Sequence, residues 1–540
     1  MASRHVNPIG TVVQHILESR ISSVPLRLIN VEDGMLYSSS TFEESFKASR
    51  DYAQLIQADI SRSSDAATTV VDSYFSYAML SHRWGDGEPT LQSINGTSIY
   101  SLAPSIGVHK LQGFCRTAKA LGFRWAWSDT CCIDKTNSSE LQESIMTMFD
   151  WYRNSTITLI YLSDVADRSP GALRRSQWFF RGWTLQELLA PHVVLFYLSD
   201  WSLYVPRSRP VLRGDNDKTN PELMQMLTIA TGIHGQFLTD FKPGVDHLRE
   251  RFRWVSRRTT RKVEDMAYCM MGIFGVHFPV LYGEKERAFT RLQEEIMKLT
   301  DDTNLFDWVG RPSKLNSCLA SHPGCFAEAA ASLIPLESST PKVTLKNSVT
   351  VLQVLLRGAT ARAFFLFAGL PPGRFIAGGK LTMFAKRHYI HKIVLESSLE
   401  GSFAGSRRYT LCAEGLKDIT IVTEEKLVER EWKDHHQYML AHLDTSAFPG
   451  DTDSESSKAR TKAVSTWTSM AESAGWFKQP FVALLLEISD SPLLSDSPSA
   501  TDGPFSTSIY RRVPTLSRIV AYPQRKVYWS PSHPSLLMVG

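Results

Sequence analysis

Cysteine is scarce in this chain. Seven are spread over 540 residues, as Cys115, Cys131, Cys132, Cys269, Cys318, Cys325 and Cys412. An odd number at scattered spacings argues against a disulfide framework, and apolar neighbours fit buried thiols in a reducing, cytoplasmic compartment. Charge of one sign is also lacking. Lys and Arg number 59 against 55 Asp and Glu, a net charge of +4, so composition points to neither a nucleic acid nor a membrane surface as partner. Long apolar runs are missing. Val193–Leu198 and Ala363–Leu370 are among the longest, far too short to span a bilayer. The stretch Met1–Leu26 carries Arg4, His5, Gln14, Glu18 and Arg20, and no secretory signal is expected there. No Walker-type phosphate loop occurs, so the chain is not expected to be an NTPase switch. No internal repeat is found. Asp129, Cys131, Cys132 and Asp134 hint at a metal, but vicinal cysteines lack the two-residue gap of a zinc site, and no metal is expected.

What is present is core-forming material, 43% hydrophobic and 11% aromatic. At about 150 residues per domain the length corresponds to three or four units. From Tyr74 the pattern alternates. Tyr74–Leu80 reads as a strand ending in the loop Ser81–Gly87. Lys110–Leu121 reads as a helix with Leu111, Phe114, Cys115, Ala118 and Leu121 on one stripe, stopped by Gly122. Phe123–Ser128 reads as a second strand, followed by the loop Asp129–Asn137. Ser139 and Gln142 are spaced for a capping box, and the helix they open carries Leu141, Ile145, Met148, Phe149 and Tyr152 on one face. Thr156–Leu162 and Val193–Leu198 are the third and fourth strands, with a helix over Arg181–Ala190 between them. Repeated strand–helix–strand order predicts a parallel sheet with flanking helices. Ligands of such sheets sit at the carboxyl ends of the strands, where the Ser81–Gly87 and Asp129–Asn137 loops fall.

Beyond this block, Glu222–Ile233, Val263–Phe274 and Glu284–Leu299 have helical periodicity. Arg249, Arg251, Arg253, Arg257, Arg258, Arg261 and Lys262 form a basic cluster. The neighbouring Glu250, Glu264 and Asp265 favour a solvated, ion-paired helix face over a nucleic-acid surface, with Arg261 and Glu264 spaced to pair. The last third is β-rich, with Val343–Leu356 and Phe364–Leu370 as strand-like runs. Pro449–Lys462 and Ser489–Ser508 read as flexible loops. The expected domains are an N-terminal extension over 1–25, an α/β domain over 26–201 with its core in 74–191, a helical region over 202–308 and a β-rich domain over 309–540.

Three blocks carry a family resemblance. Tyr77–Gly85 (YAMLSHRWG), Trp125–Lys135 (WAWSDTCCIDK) and Ser176–Pro191 (SQWFFRGWTLQELLAP) resemble, in order, the motifs of the fungal heterokaryon-incompatibility (HET) domain. Asn137–Leu141 and Met148–Tyr152 continue the second block. Arg258–Tyr268 and Leu281–Glu284 resemble the segment that follows such domains. Ser128 stands where the family usually has an aliphatic residue. The resemblance covers about Leu26 to Trp308. It implies a role in vegetative incompatibility: self/non-self recognition that triggers programmed cell death, a form of fungal innate immunity. An allelic or non-allelic partner protein and self-association are implied with it.

HET domains in turn resemble TIR domains, which implies a TIR/flavodoxin-like sheet. Leu80–Asp86 resembles the TIR opening strand and loop, and Trp183–Leu188 (WTLQEL) resembles the helix that bears the catalytic Glu of TIR NAD hydrolases. The resemblance therefore places Glu187 as catalytic residue, with NAD as substrate and no bound cofactor. His82, Arg83, Trp84, Gly85, Asp129 and Trp183 are the candidate substrate-binding residues. Trp183 lies four residues before Glu187, on one helical face, where it can stack on a flat ring while the carboxylate reaches the ribose. Arg83 is placed to meet the diphosphate. Plainer readings stand beside these. Trp178 and Trp183 are equally core residues, Glu187 a partner for Arg181 or Arg83, His82 a general base or a satisfied loop histidine. A non-catalytic adaptor acting by regulated self-association is the alternative function, and the fold does not choose between them.

Overall fold

A computed structural model describes residues 8–57, 64–300, 302–327, 374–376, 380–385, 387–399, 405–413, 416–432, 437–443, 481–489, 505–521 and 535–539. The chain divides into two units, Met1–Gly244 with Arg257–Gly283, and Val245–Ser256 with Glu284–Gly540.

The first unit opens with α1 (Pro8–Ser23), β1 (Arg27–Asn30), β2 (Leu36–Ser38), α2 (Ser39–Lys47), α3 (Arg50–Gln57) and α4 (Ser64–Tyr74). Helix α1 lies against α4, where Arg20 pairs with Asp72 at 3.4 Å. A tight turn joins β1 to β2: Asn30 N donates to Met35 O at 2.9 Å, and Gly34 adopts φ +70° with Ser98 Oγ only 2.5 Å from where a Cβ would stand. A glycine is required there on both counts.

The alternating core follows, with β3 (Tyr77–His82), α5 (Leu91–Ile94), α6 (Ile106–Ala120), β4 (Trp125–Trp127), α7 (Ser138–Asn154), β5 (Ile157–Tyr161), α8 (Pro170–Arg175), α9 (Thr184–Leu189) and β6 (Val194–Tyr197). The sheet runs β2-β1-β4-β3-β5-β6. Strands β4, β3, β5 and β6 are parallel, with Tyr77 opposite Trp125, Ala78 opposite Ile157 and Thr158 opposite Val194. Every residue of β3, β5 and β6 is buried, as expected for parallel strands covered on both faces. The wholly parallel expectation needs one correction. The β1–β2 hairpin adds two antiparallel strands at the β4 edge, because a turn this short can only reverse the chain.

Local chemistry sets the element ends. Helix α6 begins earlier than its apolar stripe suggests, since Ser105 caps it by accepting from Val108 N at 3.0 Å. The cap of α7 is Asn137, accepting from Ser139 N at 3.0 Å and Glu140 N at 3.3 Å, and not the Ser139–Gln142 box. Glu140 in its first turn accepts from Asp134 N at 2.7 Å and Arg27 Nη2 at 2.9 Å. Strand β3 starts at Tyr77 because Tyr74 still belongs to α4.

Next come α10 (Pro221–Thr231), α11 (Gly235–Thr239), α12 (Leu248–Val255), α13 (Asp265–Tyr268), α14 (Met271–Phe274) and α15 (Arg287–Met297). The single helix expected over Val263–Phe274 is two short ones. The basic cluster is split, with Arg257, Arg261 and Lys262 exposed. Arg249, Arg251 and Arg258 are buried; within the second unit, Arg249 Nε lies 2.9 Å from Asp307 Oδ2. Arg261 lies over the Trp84 ring, while Glu264 accepts from Gly283 N at 2.8 Å.

The second unit is β-rich. It holds β7 (Arg374–Ile376), β8 (Lys380–Ala385), β9 (Arg387–Ser398), β10 (Arg407–Ala413), β11 (Ile419–Thr423), β12 (Tyr438–Leu443), β13 (Phe481–Ser489), β14 (Phe505–Arg512), β15 (Ile519–Ala521) and β16 (Ser535–Val539). They form one sheet in the order β11-β10-β9-β12-β13-β14-β16-β8-β7, with β15 on β13. Its core includes Ile393, Tyr409, Leu411, Leu440 and Leu485. Val343–Leu356, Phe364–Leu370 and Pro449–Lys462 lie outside the described residues. So does most of Ser489–Ser508, whose two ends are the end of β13 and the start of β14. All seven cysteines are free, and all but Cys412 are buried. No helix among the described residues is long and apolar enough to cross a membrane.

Candidate functional site

At the carboxyl end of β3 the chain carries Ser81 and His82, two polar side chains buried to 2% exposure or less. Burying such groups is costly unless they are satisfied, and each is met by a carboxyl.

Ser81 Oγ donates to Glu187 Oε2 at 2.6 Å and accepts from Trp178 Nε1 at 2.9 Å. Glu187 comes from α9, all six residues of which are buried. The turn before α9 is held by Thr184 Oγ1, which donates to Trp178 O at 2.6 Å, and by Arg258 Nη1, which donates to Arg181 O at 3.0 Å and Thr184 Oγ1 at 2.9 Å. Tyr152 OH donates to Leu80 O at 3.0 Å on the same strand. Burial raises the Glu187 pKa to about 8, and the charge of Asp129 adds to this against the opposing pull of Arg181, Ser81 and Arg258. Glu187 is therefore neutral at pH 7.

Asp129, in the loop after β4, has the opposite setting. It lies 3.1 Å from His82 Nε2, accepts from Trp84 Nε1 at 2.7 Å and lies 3.9 Å from Arg181 Nη2. Burial alone would raise its pKa, but the His82 hydrogen bond, with Lys135 and Arg181, holds it far below the carboxylate range. His82 is pushed below its usual pKa by burial and then by Lys110, against the pull of Asp129 and Glu88. Its Nδ1 lies 3.8 Å from Glu88 Oε1. Glu88 also takes Lys110 Nζ and Gly85 N, and Lys110 Nζ reaches Arg83 O at 3.2 Å. These bonds pin the loop after β3. Above it, Lys135 Nζ, the Arg181 guanidinium and the Arg261 guanidinium lie 3.9, 4.9 and 5.2 Å from the Trp84 ring centroid.

His82, Trp84 and Asp129 thus come together. Glu187 sits in the adjoining group, and Arg181 acts on both carboxyls. Arg83 and Gly85 are exposed, with the Arg83 carbonyl, not its side chain, engaged by Lys110. Trp183 is half-buried and acts on Asp265, which accepts from Tyr282 OH at 2.9 Å. Ser81, Lys135 and Arg261 were not singled out as site residues from the sequence. Only folding brings such distant positions together, although Ser81 and Lys135 lie inside the motif blocks. No group of His, Cys, Asp and Glu among the described residues is arranged to hold a metal.

Comparison with known proteins gives a match within the α/β unit. Residues 77–172 match the profile of the heterokaryon incompatibility protein (HET) family. The α/β unit carries a HET domain. The chain is also 40% identical over 247 residues to the vegetative incompatibility protein HET-E-1 of Podospora anserina, an alignment covering 43% of this chain and 17% of that relative. The chain thus spans only about a sixth of the relative it matches. No solved structure matches it. The HET profile runs from the start of β3 into α8 and holds His82, Trp84, Asp129 and Lys135. Trp178, Arg181, Glu187 and Arg261 lie beyond it.

Proposed function

We propose that this HET protein acts in vegetative incompatibility as a self/non-self trigger of cell death, and that its α/β unit works as a TIR-like domain cleaving NAD through Glu187. The observation that carries this reading is the opposite state of two carboxyls, Glu187 buried and Asp129 half-buried, that both feel the charge of Arg181. Glu187 is held neutral, with a pKa of about 8, and Asp129 is held ionised. Environments that drive neighbouring acids apart mark sites where charge or protons are handled. The parallel strands give the reading further support. Their order β4-β3-β5-β6 places the second strand beside the first and the third on its other side, as in doubly wound flavodoxin-like sheets, where ligands sit at the carboxyl ends around that reversal. Ser81, His82 and Asp129 all lie there.

The chemistry balances without a cofactor. The ribose–nicotinamide bond breaks with its electron pair going to the ring nitrogen, which loses its positive charge. The ribose carbon becomes cationic, water adds to it, and a proton leaves. The products are ADP-ribose, nicotinamide and a proton. A cationic ring bound beside Glu187 draws its pKa back down, so the carboxyl ionises when substrate is present and stabilises the developing charge. Ser81 and Trp178 keep it oriented meanwhile.

The trigger is an allelic or non-allelic partner protein, with self-association of the α/β unit as the activating step. A cell-death assay with cellular NAD measured tests the site. Glu187→Gln is expected to leave NAD intact and cells alive at wild-type protein levels; undiminished NAD loss and killing would falsify the role of Glu187.

A further inference from the structure

Three cations gather on Trp84, and of these the catalytic reading above uses only Arg181, for its field on the two carboxyls. Lys135 comes from the loop after β4, Arg181 from the turn before α9, and Arg261 from the stretch before α13. Their charged ends lie 3.9, 4.9 and 5.2 Å from one indole centroid. One ionised carboxylate, Asp129, faces them, 3.9 Å from Arg181. Among the described residues neither Lys135 nor Arg261 forms an ion pair, and Glu88 is engaged by Lys110. The Arg181 Nε is buried with no hydrogen-bond partner among the described residues. An unmet buried donor is costly, and like charges converging on one ring repel. A multiply charged anion relieves both.

We infer that Lys135, Arg181 and Arg261, gathered on Trp84, form the cradle for the diphosphate of a dinucleotide. Two guanidinium forks match phosphate oxygens in pairs, and Lys135 adds a point charge beside them. The choice of a dinucleotide rests on the NAD reading: Arg181 acts electrostatically on Glu187 as well, so a diphosphate held at Trp84 sits next to the carboxyl proposed to face the ribose. Arg83, assigned the diphosphate from the sequence, is exposed, and only its carbonyl is engaged. The cradle also takes Arg261 from beyond residues 77–172, so the segment after the HET match completes the site.

Binding of ADP-ribose and of inorganic pyrophosphate to the full chain tests this, with adenosine as the uncharged control. Both anions are expected to bind and to compete, and adenosine to bind at least tenfold more weakly than ADP-ribose. Lys135→Ala and Arg261→Ala are expected to weaken ADP-ribose binding about tenfold each, with circular dichroism unchanged because both residues are exposed. Equal affinity of wild type, Lys135→Ala and Arg261→Ala, or no binding of either anion, overturns the cradle. Nicotinamide release is scored separately. Its loss or retention in Glu187→Gln bears on the hydrolase reading alone.

Discussion

Ser81 and Glu187 are joined by a 2.6 Å hydrogen bond between the end of β3 and the middle of α9. The same hydroxyl accepts the buried Trp178 indole N–H at 2.9 Å. Ser81→Ala therefore strands a donor on Trp178 and leaves the carboxyl without that donor. The expected cost is about 1–3 kcal/mol, read as a lower denaturant midpoint for the α/β unit. Since the Ser81 bond favours the ionised carboxyl, its removal also moves the Glu187 pKa further up, measurable by the pH dependence of stability.

That dependence has a definite sign. The folded Glu187 pKa of about 8 lies above the ordinary 4.5, so between these values the folded chain holds a proton that the unfolded chain has lost. Its contribution is full below pH 4.5 and falls away as pH rises through 8. Asp129 behaves oppositely. Its folded pKa is depressed, so its contribution is present above the unfolded value and is lost only in strong acid. Glu187→Gln is expected to flatten the stability profile between pH 5 and 8 and to be more stable than wild type at pH 8. Unfolding at a series of pH values checks it; parallel profiles would contradict the assignment.

Much of the α/β core was legible because burial on both faces leaves continuous apolar runs, as at Ile157–Tyr161 and Val194–Tyr197. The β1–β2 hairpin escaped because four- and three-residue strands are too short to show a period. The break between α13 and α14 escaped because Met266, Ala267, Met271 and Ile273 are buried on both sides of it, so the apolar periodicity runs on through the interruption. In the site, Glu187 among leucines stood out in the sequence, and its burial follows from those neighbours. The destination of Arg261 did not stand out. Pairing with Glu264 was the local solution, and the cation–aromatic contact with Trp84 depends on segments far apart in the chain.

Gly107, in the first turn of α6, lets the helix close onto the loop that carries Trp84. A Cβ there would stand 2.3 Å from Gly87 O and 2.6 Å from Glu88 Cα. These are backbone atoms that cannot rotate away. Gly107→Ala is expected to push the 83–90 loop outward at a cost of about 1–3 kcal/mol. Thermal unfolding reads the loss, and faster amide exchange across residues 83–90 locates it.

Trp84→Phe keeps a ring for the cations but removes the indole donor that reaches Asp129 at 2.7 Å. Loss of a hydrogen bond to a charged group costs about 1.5–3 kcal/mol, and the smaller ring holds cations less well. A lower midpoint together with several-fold weaker ADP-ribose binding is expected by calorimetry. Unchanged binding would separate Trp84 from the anion site.

Nicotinamide release by the purified full chain, with wild type, Glu187→Gln and Glu187→Ala compared across a range of protein concentrations, bears most directly on the central claim. Release by wild type and its loss in both folded variants is the expected result. Release that persists in Glu187→Ala, or assembly of the wild type with no release at any concentration, would contradict it and leave the domain a non-catalytic adaptor or an enzyme with a different active residue.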